Sequence, residues 1–487
     1  MFCDYVFEKS SARYADKILL FDDENLNGRV NFISAFSAHG FEIVEYTDDL
    51  TFRIKYEEKL KDSDVKLVII ANSKQYIPYD VQCLVSKYVV ALRELFPKLN
   101  QDVISKLDRT GLDLLSAVYD TNFDDLSQKQ DTEVFLQLKV YSRTNVKTYL
   151  NKNIVLLIEK AKRSTQYYEW FAIAEEKAML DKIAIQYDVD VDTQEINRLF
   201  QKYALAEFGK LSQNIDKKTP VIISKTMDYL YENSDKFILI VMDGMSEFDW
   251  NIISASFTQL QYEKTSMFAM IPSTTSISRQ CLLAGKYPVQ LLEPWKQSKE
   301  RTEFFNCAKR LGCTEAQIGY ERGYDAQFSS LVRCGTVIVN DVDDIVHSQK
   351  QCRIGMFNDI NVLANQKKLV NMVKRYIGSG YDVYITADHG NTLCTGLGKL
   401  MRTGVEVETK SRRMVVLKDF ADKAYLIDKY RLVEYPKYYL PKEYDYLICD
   451  VGDSFDANGE DVMTHGGITL DEVVVPFVKI KAVCNYG

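Results

Sequence analysis

Carboxylates and imidazoles stand side by side in segments that close apolar runs: "VMDG" (Val241–Gly244), "NDVDDIVH" (Asn340–His347), "TADHGN" (Thr386–Asn391) and "THGG" (Thr464–Gly467). Histidine is informative because the chain holds only 4, His39, His347, His389 and His465. Asp343 and His347 are spaced i, i+4, so on a helix they share a face and can grip one ion together. After His465, two glycines let the backbone approach a site closely. His39, in "AHGFEIV", reads instead as a helix C-terminus capped by Gly40, where a histidine cation suits the dipole, and it is left out of the site. Taken alone, such a segment reads more readily as a solvated turn or an exposed ion pair. Together Asp243, Asp343, His347, Asp388, His389 and His465 suffice for two mixed oxygen/nitrogen sites for divalent metal ions. Hard carboxylates with imidazoles and no thiolate suit Zn²⁺, with Mn²⁺ as the alternative. Two such ions roughly 4 Å apart stabilise both the attacking and the leaving oxygen of an in-line displacement at phosphorus.

A nucleophile for that displacement is available in "PSTTSISRQCLLAG" (Pro272–Gly285). Ser273, Thr274, Thr275 and Ser276 immediately precede an amphipathic run, so one of these hydroxyls occupies a helix N-terminus. The dipole and free amides there favour an alkoxide and a bound phosphate oxygen. The same residue types are also ordinary N-caps.

The elements that must position these residues are strands. "KFILIVMDG", "SMFAMIP", "GTVIVND", "YDVYITADHG" and "EVVVPFVKI" alternate with helical patterns from Lys236 onward, which describes a central, mostly parallel sheet covered on both faces. Ligands gather at the carboxyl ends of such strands. Earlier in the chain, "KILLFDD", "FEIVEY" and "VKLVIIAN" alternate with helices near Gly28–Ala38, Leu50–Lys61 and across Tyr79–Leu95, the pattern of a Rossmann-like α/β domain. Asp22 and Asp23 are placed like the acidic pocket of a response-regulator receiver. The third strand, however, ends on Asn72 where a phosphoacceptor aspartate is needed, and no Gly-rich dinucleotide loop follows the first strand. Between these regions apolar residues recur at three- and four-residue intervals, and Thr219-Pro220 reads as an N-cap with proline at the first helical position. The expected organisation is an N-terminal α/β domain over 1–125, a helical domain over 126–232 and a C-terminal α/β domain over 233–487.

At 487 residues, 46% hydrophobic and 27% charged, the composition is that of an ordinary globular protein. A formal net charge of -8 argues against a surface wholly devoted to nucleic acid or anionic membrane, while a local basic pocket is compatible with it. The first residues carry Asp4 and Glu8 where a secretory leader needs a positive start and an apolar core. No apolar run approaches the roughly 20 residues that span a bilayer. Cysteines number 10, none in a C-x-x-C pair, which fits reduced, mostly buried thiols. A cytoplasmic protein without a membrane partner is expected.

The segments "VMDGMS", "PSTTSISRQCLLAG", "NDVDDIVH", "TADHGN" and "THGGITLDEVVVP" together resemble the alkaline phosphatase superfamily, and within it the PglZ family of bacteriophage-exclusion (BREX-type) defence loci. The resemblance spans about Lys236 to Lys481 by motif, and the preceding α/β and helical portions by pattern. It implies that Asp243, Asp388 and His389 hold one metal beside the nucleophile, and that Asp343, His347 and His465 hold the other. It implies Thr275 as the nucleophile and metal contact, from the T-x-x-x-R…G spacing to Arg279 and Gly285, with Thr274 in reserve. Arg279 is implied as a phosphate contact, with a surface or sheet-packing role as the equal alternative, and Arg322, Lys399 and Arg402 are weaker candidates for a basic rim, solvated charges being the default for each. The implied activity is a metal-dependent phosphodiesterase or phosphohydrolase, passing through a phosphothreonine, on nucleotide or oligonucleotide substrates, with other phage-defence proteins as partners. The alternative is a non-catalytic metal- or nucleotide-binding scaffold subunit.

Overall fold

Short aliphatic runs build the frame. The computed structural model describes residues 2–119, 124–400, 411–418 and 423–481. These divide into two compact units, Met1–Asn151 with Tyr187–Val189, and Lys152–Gln186 with Asp190–Gly487. The helical stretch at 126–232 is thus shared between the units.

In the first unit, β1 (Lys17–Phe21), β2 (Glu42–Glu45), β3 (Leu67–Ala71) and β4 (Ser86–Val89) form a four-stranded sheet in the order β2-β3-β1-β4, with every pairing parallel. The crossover between β2 and β3 is the helix Asp49–Lys61, N-capped by Asp48, whose side chain accepts from the Thr51 amide. β4 corrects the expectation of one helix across Tyr79–Leu95, because helices Tyr79–Cys83 and Leu92–Leu95 flank a strand instead. Tyr88, Val89 and Val90 favour extended backbone, and ladder pairing along the edge of β1 outweighs a weak helical period. Asp22 accepts from the amides of Leu26 and Asn27, and Asp23 accepts from the Ser73 amide, so both acids act as turn anchors. His39 follows the helix Ser34–Ala38, donates through Nδ1 to the Ala35 carbonyl at 2.8 Å and stacks on Phe7. That is the structural role expected of it.

The second unit is built on six main strands: β5 (Phe237–Met242), β6 (Tyr262–Phe268), β7 (Ile318–Arg322), β8 (Cys334–Val339), β9 (Asp382–Thr386) and, nearer the C-terminus, β16 (Val474–Ile480). All residues of β5 and β8 are buried. The order is β6-β16-β9-β5-β8-β7, in which β9, β5, β8 and β7 run parallel and β16 is antiparallel to both its neighbours. Smaller sheets come from β10 (Thr392–Gly396), β14 (Asp453–Ser454) and β15 (Asp461–Thr464), and from β11 (Met414–Leu417), β12 (Val433–Glu434) and β13 (Asp445–Ile448). The fold is therefore mixed α/β with a parallel-rich central sheet. Helix Tyr167–Gln186 packs on Glu247–Ile253, and Gln194–Glu207 packs on the short helix Leu470–Val473.

Thr219 does not cap a helix. Its hydroxyl donates to the Ser266 carbonyl at 2.7 Å, Val221 takes a left-handed φ of 65° and the extended Ile222 bridges to Phe268, so helical structure begins only at Ile223. Pairing with the edge of β6 takes the place of capping there. Among the described residues no helix is long and apolar enough to cross a membrane.

Candidate metal centre

Strand register fixes where the chemical residues meet. Met242 pairs with Val339 and Val241 with Thr386, so Asp243, the helix Asp341–Ser348 and the Asp388-His389 turn leave the sheet on one edge. The antiparallel β16 starts at that same edge, since Val474 lies opposite Phe268 and Phe477 opposite Thr386. The segment carrying His465, which precedes β16, and the segment 269–274, which follows β6, therefore arrive there too.

Two groups of ligand atoms result, each within 4.8 Å of one another: Asp243, Asp388 and His389, and Asp343, His347 and His465. In the first, His389 Nε2 lies 3.6 Å from Asp243 Oδ1 and 3.8 Å from Asp388 Oδ2. In the second, Asp343 Oδ1 is 3.4 Å from His347 Nε2 and 3.5 Å from His465 Nε2. The groups adjoin, because the rings of His389 and His465 stack with centroids 4.1 Å apart. Cys394 is buried in β10 and belongs to neither.

The donor set fits divalent cations. His389 Nδ1 donates to the Gly390 carbonyl and His465 Nδ1 to the Ser273 carbonyl, each at 3.0 Å. Carbonyl oxygens only accept, so the proton sits on Nδ1 and the lone pair on Nε2, which faces the carboxylates. Asp243 Oδ1, Asp343 Oδ1 and Asp388 Oδ2 are buried without a hydrogen-bond donor. An uncompensated buried carboxylate oxygen is costly, and a cation is the partner that removes the cost. Burial, then the neighbouring Asp388, pushes Asp243 well above the usual carboxylate range against the opposing pull of Arg279. Burial, then His389, brings His465 down to about 3, so it stays neutral as a ligand must.

The candidate hydroxyls separate cleanly. Ser273 is enclosed, donating to the Gly467 carbonyl and accepting from the Gly466 amide. Thr274 is the N-cap position of helix Thr275–Ala284 without a side-chain cap bond, and its hydroxyl lies 3.4 Å from Ser276 Oγ. Thr275, half-buried at the first helical position, is the one whose Oγ1 meets His389 Nε2, at 3.0 Å. Gly285 closes this helix in the left-handed conformation.

Arg279 differs from the phosphate contact expected of it. Its side chain is fully buried, paired with Asp243 and, through Nε at 2.7 Å, with Glu300, and its Nη1 is 3.8 Å from Asp388 Oδ2. It pairs with one carboxylate of the first candidate group and lies beside a second. The partner Glu300, 21 residues away, is invisible to any local pattern. Of the suggested basic rim, Arg322 pairs with Glu300, Lys399 is exposed, and Arg402 lies outside the described residues.

Other supporting residues escaped the sequence reading. Glu472 accepts from the Gly467 amide at 2.9 Å, from the Thr469 amide and hydroxyl, and from the buried Arg413. It thereby fixes the turn behind His465. Asp249 accepts from Ser246 and from Asn391 Nδ2, and Asn391 also donates to the Gly244 carbonyl, tying the ends of β5 and β9 together. Both acids complete capping boxes, Ser246–Asp249 and Thr469–Glu472, and an S/T-x-x-D/E spacing was the available signal. Gly390 has no alternative, since a Cβ would sit 2.1 Å from the Asp471 carbonyl oxygen.

Residues 222–480, over half the chain, match the family described as the BREX system PglZ alkaline phosphatase-like domain. Among solved structures, murine ectonucleotide pyrophosphatase/phosphodiesterase 5 is similar at 11% identity, covering 50% of this chain and 87% of its own, with a TM-score of 0.36. Phosphonoacetate hydrolase from Sinorhizobium meliloti 1021 is similar at 11% identity, covering 50% and 90%, with a TM-score of 0.36. The human ectonucleotide pyrophosphatase/phosphodiesterase 5 has 14% identity, coverage of 50% and 87%, and a TM-score of 0.33. No match is found among curated proteins.

Proposed function

Because this chain belongs to the PglZ family of alkaline phosphatase-like domains, we propose that it is a phosphodiesterase with Thr275 as nucleophile. In this reading Asp243, Asp388 and His389 hold one divalent cation and Asp343, His347 and His465 a second, zinc with manganese as the alternative. One observation carries the reading: the half-buried Thr275 hydroxyl lies 3.0 Å from His389 Nε2, beside buried carboxylate oxygens that lack donors. Bound cations would supply Lewis-acid charge to the attacking and leaving oxygens.

The chain's own residues do the rest. The N-terminus of helix Thr275–Ala284 presents its dipole to an anionic phosphoryl group. His389 Nε2, 3.0 Å from Thr275 Oγ1, has a single lone pair, so where it holds a cation it would not also accept the Thr275 proton, and the contact serves to place the Thr275 oxygen beside that cation, free to attack phosphorus. Attack forms the Thr275 Oγ–P bond and breaks the bond to the leaving alcohol, and the proton given up by Thr275 ends on the leaving oxygen by way of solvent. Water then replaces Thr275 at phosphorus, its oxygen joining phosphorus and one of its protons restoring the threonine hydroxyl. Arg279 holds Asp243 in place from the side away from solvent. The same reading assigns nucleotides or oligonucleotides as substrates and a cytoplasmic phage-defence setting with other defence proteins as partners.

The test compares wild type with Thr275→Ala on bis-(p-nitrophenyl) phosphate with Zn²⁺ or Mn²⁺. The expected result is turnover by the wild type and a loss of ~10³-fold or more in the variant, with metal content unchanged. Equal rates would remove Thr275 from the mechanism. Full metal occupancy without wild-type turnover would favour the scaffold role.

A further inference from the structure

Next to Thr275, Ser276 forms part of the wall of a groove of about 740 Å³ lined also by Trp295, Glu300, Arg301, Tyr320 and Arg322. That volume falls in the range of small-molecule sites, roughly 300–1,000 Å³. The groove is built into the candidate metal centre through Glu300, which is only 3% exposed. One carboxylate oxygen of Glu300 accepts from Arg279 Nε at 2.7 Å. The other accepts from the Tyr320 hydroxyl and from Arg322. Because Arg279 also pairs with Asp243, a continuous run of charge-assisted contacts joins the groove wall to the metal ligands.

The lining has a definite chemistry. Among the lining side chains Lys296, Arg301 and Arg322 are cationic and Glu300 alone is anionic; Arg322 pairs with Glu300 and Lys296 with Glu293. Arg301 has no carboxylate partner among the described residues and lies over the Phe305 ring at 5.3 Å. The groove is therefore cationic, and Trp295 and Tyr320 supply aromatic faces. Stacking faces combined with arginines recognise the bases and backbone of single-stranded nucleic acid.

We propose that this groove seats the nucleotide adjoining the scissile phosphodiester, with its base against Trp295 or Tyr320 and its further phosphate at Arg301. The substrate is then a single-stranded oligonucleotide of at least two nucleotides. This assignment rests on the phosphodiesterase reading of the neighbouring site.

The experiment uses the zinc-loaded Thr275→Ala protein, so that binding is read without turnover, and follows the fluorescence anisotropy of a fluorescein-labelled oligothymidylate. Adding Trp295→Ala is expected to weaken Kd by about 10-fold, as loss of one stacking face does. Adding Arg301→Gln, a surface change that leaves the fold intact, is expected to weaken it and to lower the salt slope by about 1. Trp295→Phe should restore most of the affinity lost by Trp295→Ala. Unchanged Kd and salt slope in both variants would overturn the proposal, as would equal competition by inorganic polyphosphate, which offers no base. Turnover of bis-(p-nitrophenyl) phosphate by wild type separates the two ideas. Turnover without groove-dependent binding sinks the groove alone, and groove-dependent binding without turnover sinks the hydrolase alone.

Discussion

In the first unit, Asp22 and Asp23 close β1 with their carboxylates turned onto the amides of Leu26, Asn27 and Ser73, at 2.7–2.8 Å. In the second, Asp243 closes β5 and Asp388 follows β9, and each keeps a buried oxygen that meets no donor. Both units carry parallel strands with acids at their carboxyl ends, so architecture alone does not distinguish a structural edge from a chemical one. The distinction lies in whether the chain satisfies its own carboxylates. Among the described residues, the buried carboxylate oxygens without donors belong to Asp243, Asp249, Asp343 and Asp388, all in the second unit. Three of those acids fall in the two candidate metal groups.

Converting the second kind of edge into the first should have the largest effect. Asp388→Asn supplies an amide where an oxygen now lacks a donor, and is expected to lower phosphodiester turnover by about 10²–10³-fold. The metal-free variant should be more stable than metal-free wild type by about 1 kcal/mol, while added zinc should stabilise it less. Thermal melts with and without zinc read both effects, and a destabilised metal-free variant would mean that Asp388 serves structure in the way Asp22 does.

A smaller effect is expected behind the site. Lys177, 1% exposed, lies 2.8 Å from both Asp181 and Asp471, and Arg353 pairs with the same two acids. Asp471 also accepts from Asn197 at 3.1 Å, and its backbone packs on Gly390. Burial works against ionisation of Asp471, but Lys177 and then Arg353 hold it down to about 2. The folded value is below the unfolded one, so the stabilisation is present above about pH 4 and is lost as pH falls towards 2. Asp471→Asn should cost about 3 kcal/mol near neutral pH by leaving buried cations under-compensated, and should flatten acid unfolding between about pH 4 and 2. An unchanged acid slope in urea titrations would remove Asp471 from that linkage. The smallest effect belongs to Asp22→Ala, expected to cost about 1 kcal/mol as loss of a cap-like anchor does, with turnover unchanged. A fall in turnover would bring the first unit into the chemistry.

Much of this layout was legible in the sequence because it depends on short-range pattern and strand order. Asp343 and His347 share a helical face by spacing, and the apolar runs before Asp243, Asp341 and Asp388 name the strands that align them. Interactions across long sequence separations were not legible. Arg279 reads as a phosphate ligand until Glu300 is seen beside it, and Arg413 has no local signal for its pairing with Glu472. Thr274 and Thr275 are equivalent as N-terminal hydroxyls until the helix start and His389 separate them. β4 and the segment at Thr219 depart from their local pattern because pairing along a sheet edge, set by distant strands, overrides a weak local preference.

The central claim is that paired cations complete the carboxylates which the chain leaves unsatisfied. Anomalous diffraction at the zinc edge, from crystals grown with zinc, tests it most directly. The account predicts two peaks roughly 4 Å apart, one bounded by Asp243, Asp388 and His389 and the other by Asp343, His347 and His465. A zinc-soaked crystal with these side chains in place and no peak between them would contradict it.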